Sequence, residues 1–242
     1  FNFLREMEFN RLLSSAISTY GEPKLKDNIE TNLWSKHKKI DTKNYKLIKE
    51  IDELDEWITE AEENGEFAID TETTSLDPHQ AELVGISLST KIGKACYIPI
   101  SHSKGKCLDK KKVLNKLRPI LEDQSVKKIG QNIKFDFIIF FHNGIILNTL
   151  EDTMLISYVL DAGKNRHNMD TLSEIHLDHK PISYKDLVGT GKKQINFRDV
   201  DVKKALEYAA EDADITLRLY KILKTTLNKE KLVNIYELFE KP

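Results

Sequence analysis

The chain has 242 residues, carries 37 Lys and Arg against 39 Asp and Glu, and is 40% hydrophobic and 31% charged. That length builds a core of ordinary size without a structural metal, and two cysteines, Cys96 and Cys107, are too few for a disulfide framework and fit a reducing cytosolic setting. No window reaches the roughly 18 apolar residues of a membrane span. The opening FNFLREMEFNRLL mixes charge into its apolar positions, unlike a secretory signal, and a net charge of −2 argues against binding a polyanion by bulk charge.

Residues 1–45 read as an appendage or linker. A short amphipathic helix over Phe3–Ser15 is followed by a Gly-Glu-Pro break at Gly21–Pro23 and a lysine-rich stretch at Lys36–Lys39. Residues 46–242 form the main domain. Ile51–Asn64 has Ile51, Leu54, Trp57 and Ile58 on one helical face and stops at Asn64-Gly65. Phe67–Asp70, Leu83–Ser89 and Ala95–Ile100 are β-prone runs that predict a three-strand meander. A helix over Asp109–Leu121, a strand over Lys127–Gly130 and an apolar helix over Ile133–His142 come next. Helices over Thr153–Leu160, Met169–Leu177, Asp201–Leu227 and Lys231–Phe239 complete the chain. The pattern predicts an α/β protein, a mixed sheet with helices on its faces.

Three acidic clusters stand out. In Phe67-Ala-Ile-Asp70-Thr-Glu72-Thr, the period of two puts Asp70 and Glu72 side by side, where two like charges need a cation between them or stand at a polar strand end. Hard oxygen ligands select Mg²⁺ or Mn²⁺ over zinc. In Gly130-Gln131-Asn132-Ile-Lys134-Phe135-Asp136, Asn132 sits where a strand becomes a helix and reads as its N-cap, with Asp136 four residues on and on the same face. An Asp inside the apolar run Phe135–Phe141 needs a cation or a donor nearby. In Tyr208-Ala-Ala-Glu-Asp212-Ala-Asp214, Tyr208 and Asp212 face together at i and i+4. Glu211 and Asp214 lie about 100° and 200° around the helix from Asp212 and read as solvated.

Jointly, Asp70, Glu72, Asp136, Tyr208 and Asp212 stand in the order and contexts of a known family. From about Ile51 to Pro242 the chain resembles the DEDD 3′→5′ exonucleases, most closely the proofreading domain of the bacterial DNA polymerase I family. Arg166-His-Asn-Met-Asp-Thr-Leu and Lys-Asp-Leu-Val-Gly-Thr-Gly-Lys-Lys extend the likeness and separate it from the ribonuclease D branch. Position 207 is Glu rather than His, and Tyr208 four residues before Asp212 places the chain in the tyrosine (DEDDy) subgroup.

The resemblance implies an RNase H-like (DnaQ-like) fold and hydrolysis of the terminal phosphodiester at single-stranded or frayed DNA 3′ ends, releasing nucleoside 5′-monophosphates in proofreading and repair. Two Mg²⁺ or Mn²⁺ ions are implied, held by Asp70, Glu72 and Asp212 and bridged by Asp70 to a second that Asp136 reaches through water. Tyr208 is implied to orient the attacking water, since a phenol with a pKa near 10 is a poor base at neutral pH. Substrate contacts are implied at Thr71, Leu76, Gln131, Asn132, Phe135 and Arg166. Leu76 also reads as core filler and Arg166 as a surface charge, while Phe135 stands where relatives often carry Tyr. Partners are a DNA 3′ end and a polymerase domain or separate polymerase, with no membrane. The setting is the cytoplasm, with association to a bacterial nucleoid.

Between His102 and Lys128, nine Lys and Arg face three acids, a run that tracks a phosphate backbone or, as is commoner, forms a solvated helix face. His176 and His179 lack further ligands nearby for zinc and read as a surface pair. Two other functions use the same residues: a ribonuclease D-type RNA exonuclease, and a catalytically silent nucleic-acid-binding module.

Overall fold

The computed structural model describes residues 3, 4, 7, 9–21, 40 and 42–242. They fall into two compact units, Phe1–His37 and Lys38–Pro242. In the first, helix α1 runs over Asn10–Tyr20, later than the Phe3–Ser15 expected, and stops at Gly21, whose φ of 78° suits a residue without a side chain. Positions 22–23 of the expected break and the stretch Lys36–Lys39 lie outside the described residues.

The second unit is built on one six-stranded sheet of order β1-β4-β3-β2-β5-β6. β2 (Glu66–Thr73), β3 (Leu83–Lys91) and β4 (Lys94–Pro99) form the expected antiparallel meander, and β5 (Lys127–Gly130) joins β2 in parallel. Two short strands without a sequence pattern, β1 (Lys46–Leu47) and β6 (Leu150–Asp152), extend the sheet in parallel at its two edges. The sheet is therefore mixed, as predicted.

Helices cover both faces. A 3₁₀ turn at Ile51–Glu53 leads into α2 (Leu54–Asn64), which with α3 (Lys110–Glu122) and α4 (Lys134–His142) packs on Phe67, Ile69, Ile86 and Ile98. On the other face lie α5 (Thr153–Asp161), α6 (Met169–Leu177), the short α7 (Tyr184–Val188) and the 28-residue α8 (Val202–Lys229), which crosses β2, β3 and β4. The expected last helix is α9 (Val233–Ile235) followed by one π-helical turn, Tyr236–Glu240. Among the described residues no helix is long and apolar enough to cross a membrane.

Three local devices position the site. Gly85 on β3 is obligatory because a Cβ there would fall 2.1 Å from the Tyr97 hydroxyl, which crosses it to reach His102 Nε2 at 2.7 Å. At the start of α4 the Asn132 side chain is not the cap. Asn132 takes a left-handed φ of 62°, which an Asn tolerates, so it does not share the face of Asp136. Asp152 caps instead, accepting from the backbone N–H of Asn132 (3.0 Å), Ile133 (3.1 Å) and Met154 (2.9 Å), while its own N–H donates to the Tyr236 hydroxyl at 3.0 Å. Asp152 thus joins the starts of α4 and α5 through its carboxylate, and the C-terminal turn through its own N–H.

The basic run is dispersed by the fold. Lys128 is fully buried and donates from Nζ to the carbonyls of Asp123 (2.5 Å), Val126 (2.7 Å) and Ile120 (3.4 Å), closing the end of α3. Lys106, Lys116, Arg118 and Lys127 pair with Glu50, Asp55, Glu122 and Glu66. Five of the nine are thus paired or buried, while Lys104, Lys110, Lys111 and Lys112 are exposed.

Candidate active site

Alternation along β2 sorts its side chains by layer. Phe67 and Ile69 face the α2–α3–α4 core, whereas Ala68 faces the α8 side, so Asp70 and Glu72 face α8 as well. There they meet Asp212, and one carboxylate oxygen from each of the three lies within 4.8 Å of the others. Ala209 and Ala210, both fully buried, let α8 come close to the sheet. β5 pairs with β2 only as far as Ala68, which leaves the next stretch of β2 without a neighbouring strand on that side. Asp136 of α4 fills the opening, accepting on Oδ1 from the Thr71 N–H (3.0 Å) and the Thr71 hydroxyl (2.5 Å).

Four acids so close strain one another. Burial pushes the Asp70 carboxyl up to about 7, opposed only by the backbone N–H of Thr71. Burial, then the charges of Asp70, Asp212 and Asp136, holds Glu72 well above the usual carboxylate range. Asp136 is raised by burial and by Asp70, against the two Thr71 bonds. Asp212 is raised by burial and Asp70, against its hydrogen bond with Tyr208. Tyr208 in turn stays protonated far above its ordinary range, through burial and the charges of Asp212, Glu72 and Asp70.

The donor set fits a hard divalent cation. Glu72 Oε1 is buried without a hydrogen-bond partner, an acceptor whose desolvation is uncompensated by the protein itself. An all-oxygen site of carboxylates suits Mg²⁺ or Mn²⁺.

The acids open onto a cleft of about 790 Å³. One wall is the β2 end and the following loop, Thr73 to Leu76; the other is Tyr184 with Gly191, Gln194, Ile195 and Asn196. Asn196 Nδ2 donates to the Thr74 carbonyl at 2.8 Å and ties the two walls together. Leu76 is 88% exposed, so it is not core filler, and Phe135 also lines the cleft. Gln131, Asn132 and Arg166 are outside the lining: Gln131 donates to the His167 carbonyl and accepts from Thr153, and Arg166 is exposed.

Several site residues escaped the sequence. Tyr184 stacks on Phe197 (6.4 Å between centroids, 9° between planes) and meets Tyr208 edge-on at 6.1 Å; no spacing rule links it to positions 13 and 24 residues on. Glu211 and Asp214, expected in solvent, are buried. Asp214 accepts from Tyr45 Oη (2.9 Å), the Gly93 N–H (2.8 Å) and Arg218 Nε (3.1 Å), because the β3–β4 turn and the segment before β1 cover that side of α8. Glu211 accepts from His179 Nε2 (3.0 Å) and the Ile182 N–H (2.7 Å), so His179 is not half of a surface pair with His176.

Carboxylates from β2, α4 and α8, on a mixed sheet flanked by helices, mark a DnaQ-like exonuclease fold. Solved structures share it: Escherichia coli RNase D, an exoribonuclease, matches with a TM-score of 0.62 and 19% identity over 80% of this chain and 48% of its own. Brucella melitensis NrnC with bound Mg²⁺ matches with a TM-score of 0.59 and 24% identity over 80% of this chain and 84% of its own. A 3′-5′ exonuclease family model matches residues 45–228, and the chain belongs to that family. DNA polymerase I of Rhizobium leguminosarum is 45% identical over 219 residues, 82% of this chain, so the exonuclease is of the DNA polymerase I type. The chain spans 22% of that relative's length.

Proposed function

We propose that residues 46–242 are a metal-dependent exonuclease that removes nucleotides from single-stranded or frayed DNA 3′ ends as 5′-monophosphates, with residues 1–45 an appendage. The observation that carries this reading is the strained carboxylate group: Asp70, Glu72 and Asp212 converge, Glu72 Oε1 lacks a partner, and all open onto a cleft with room for a terminal nucleotide. Its similarity to DNA polymerase I favours DNA over RNA and a polymerase as the physical partner, in a cytoplasmic, nucleoid-associated setting.

In this reading Asp70, Glu72 and Asp212 would hold one divalent cation, and Asp70 with Asp136 a second. Bound cations supply acidification of water and neutralisation of charge on the attacking and leaving oxygens. The chain's own groups do the rest. Tyr208, whose hydroxyl is bonded to Asp212, is a poor base at neutral pH and instead fixes the water's orientation through its oxygen. Thr71 holds one oxygen of Asp136 and leaves the other for the site. Leu76 at the lip and the Tyr184 and Phe135 rings confine the terminal nucleotide.

The test is digestion of 3′- and 5′-labelled single-stranded DNA and matched RNA in Mg²⁺ or Mn²⁺, beside the Asp70→Ala/Glu72→Ala variant. Loss of label from the DNA 3′ end, abolished in the variant, is expected. Preference for RNA would place the activity with the RNA exonucleases, and no digestion at all would leave a binding module.

A further inference from the structure

We infer that Glu211 is a positioning residue: its carboxylate latches the segment 179–182 onto α8 and so fixes Tyr184 as the aromatic wall of the cleft. The inference rests on the exonuclease reading and adds to it the group that sets the wall. Glu211 stands next to Asp212 in sequence, about a quarter turn around α8, and its oxygens go to the α6–α7 connection rather than to the cluster of acids. It is 3% exposed, and both of its oxygens are used, one on His179 Nε2 at 3.0 Å and one on the Ile182 N–H at 2.7 Å. Both donors belong to the connection between α6 and α7, and Tyr184 is the first residue of α7, two beyond Ile182.

Apart from the buried Pro181, that connection has few polar ties. α6 ends at Asp178 in a left-handed conformation, and the His179 N–H reaches only a long 3.3 Å bond to the Ser173 carbonyl. α7 is five residues long, and Ser183 at its start makes no side-chain capping bond. Helices that short have no stability of their own. Two bonds to a buried charged acceptor are therefore the strongest polar fixings of the segment, since charge-assisted bonds are roughly twice as strong as neutral ones.

A carboxylate here also has a cost. Its charge adds to those raising Asp212, in a site already crowded with acids. A neutral side chain would relieve that repulsion but would not hold both donors as strongly. Tyr184, once fixed, lies flat on Phe197 and edge-on to Tyr208, with 37% of its surface left for the cleft. The latch thus runs from the buried side of α8, through the 179–182 segment, to the ring that faces the substrate.

The test is a double-mutant cycle on 3′-labelled single-stranded DNA, with kcat and KM measured in Mg²⁺ and DNA binding measured in Ca²⁺ by anisotropy. Glu211→Ala should raise KM about tenfold, weaken binding in parallel and leave kcat within about threefold. Glu211→Gln, which keeps an acceptor for Ile182 and a polar partner for His179, should recover most of the loss. Added to Tyr184→Ala, Glu211→Ala should cause little further loss, because the two act through one ring. Should Glu211→Ala fail to fold, His179→Ala with Tyr184→Ala makes the same cycle from the other end of the latch. Losses that multiply, or a fall in kcat at constant KM, would overturn the latch while wild-type digestion leaves the exonuclease reading standing. A wild-type chain that neither binds nor digests 3′ ends would overturn that reading, and the latch with it.

Discussion

Thr71 gives both its backbone N–H and its hydroxyl to the same oxygen of Asp136. It does so because β5 ends opposite Ala68 and leaves the β2 edge open to a side chain from α4. Thr71 is buried and its hydroxyl is spent on this acid, so its expected effect on activity is through Asp136. Thr71→Val keeps the shape and the N–H but removes the hydroxyl. It should lower kcat about tenfold, the worth of one hydrogen bond to a charged group, with single-strand affinity in Ca²⁺ unchanged. Thr71→Ser should restore most of the rate. A rise in KM alone would mean that the hydroxyl serves the nucleotide instead.

The strained acids make a prediction about stability in the absence of metal. Asp70 has a folded pKa of about 7 against 3.8 for the free side chain, and Glu72, Asp136 and Asp212 are raised with it. Between pH 4 and 7 the folded chain then binds more protons than the unfolded one, so this cluster's contribution falls as pH rises through that window. In chelator, Tm should drop by about 5 °C between pH 5.5 and pH 8 relative to an Asp70→Asn variant. Mn²⁺ should restore it at pH 8 and do little at pH 5.5. Parallel melting curves for the two proteins in chelator would show that the acids do not repel one another.

Lys128 supplies a prediction free of the site. Lys128→Met leaves three carbonyls at the end of α3 without a donor and should cost about 2–4 kcal/mol in urea unfolding. DNA affinity of the folded variant should not change, since this lysine is not on the surface. Burial lowers its pKa to about 8, so its side-chain ¹³C resonance should titrate near pH 8. From pH 8 to 10.5 the unfolded chain holds the extra proton, and this group's contribution to stability rises with pH.

Leu76 separates wedge from filler. As an 88% exposed side chain it has no packing to lose, and Leu76→Ala should leave Tm within about 1 °C. Digestion of blunt duplex ends, which must fray, should slow several-fold more than digestion of single strands. Equal slowing on both substrates would remove the wedge role.

The acids were legible because their spacings are short and periodic: i and i+2 on a strand, i and i+4 on a helix. What was lost depends on neighbours distant in sequence. The helical wheel put Glu211 and Asp214 away from Asp212, which is correct, but solvent lies on that side only when a helix has one covered face. Glu211 meets the α6–α7 connection and Asp214 meets Tyr45 and the β3–β4 turn, so the same angles lead into protein. Asn132 has the composition of a cap, yet the capping oxygens come from Asp152, twenty residues on. β1 and β6 are two and three residues long, too short for any alternation to register.

Asp152 adds a constraint in time. The acids of the site enter the chain at positions 70 to 212, but Asp152, whose carboxylate caps the start of α4, donates its own backbone N–H to the hydroxyl of Tyr236. A ribosome delivers that tyrosine after every one of the acids. The cap of α4 thus gains this tie only once the turn Tyr236–Glu240 has emerged and docked, after all the acids are already in the chain.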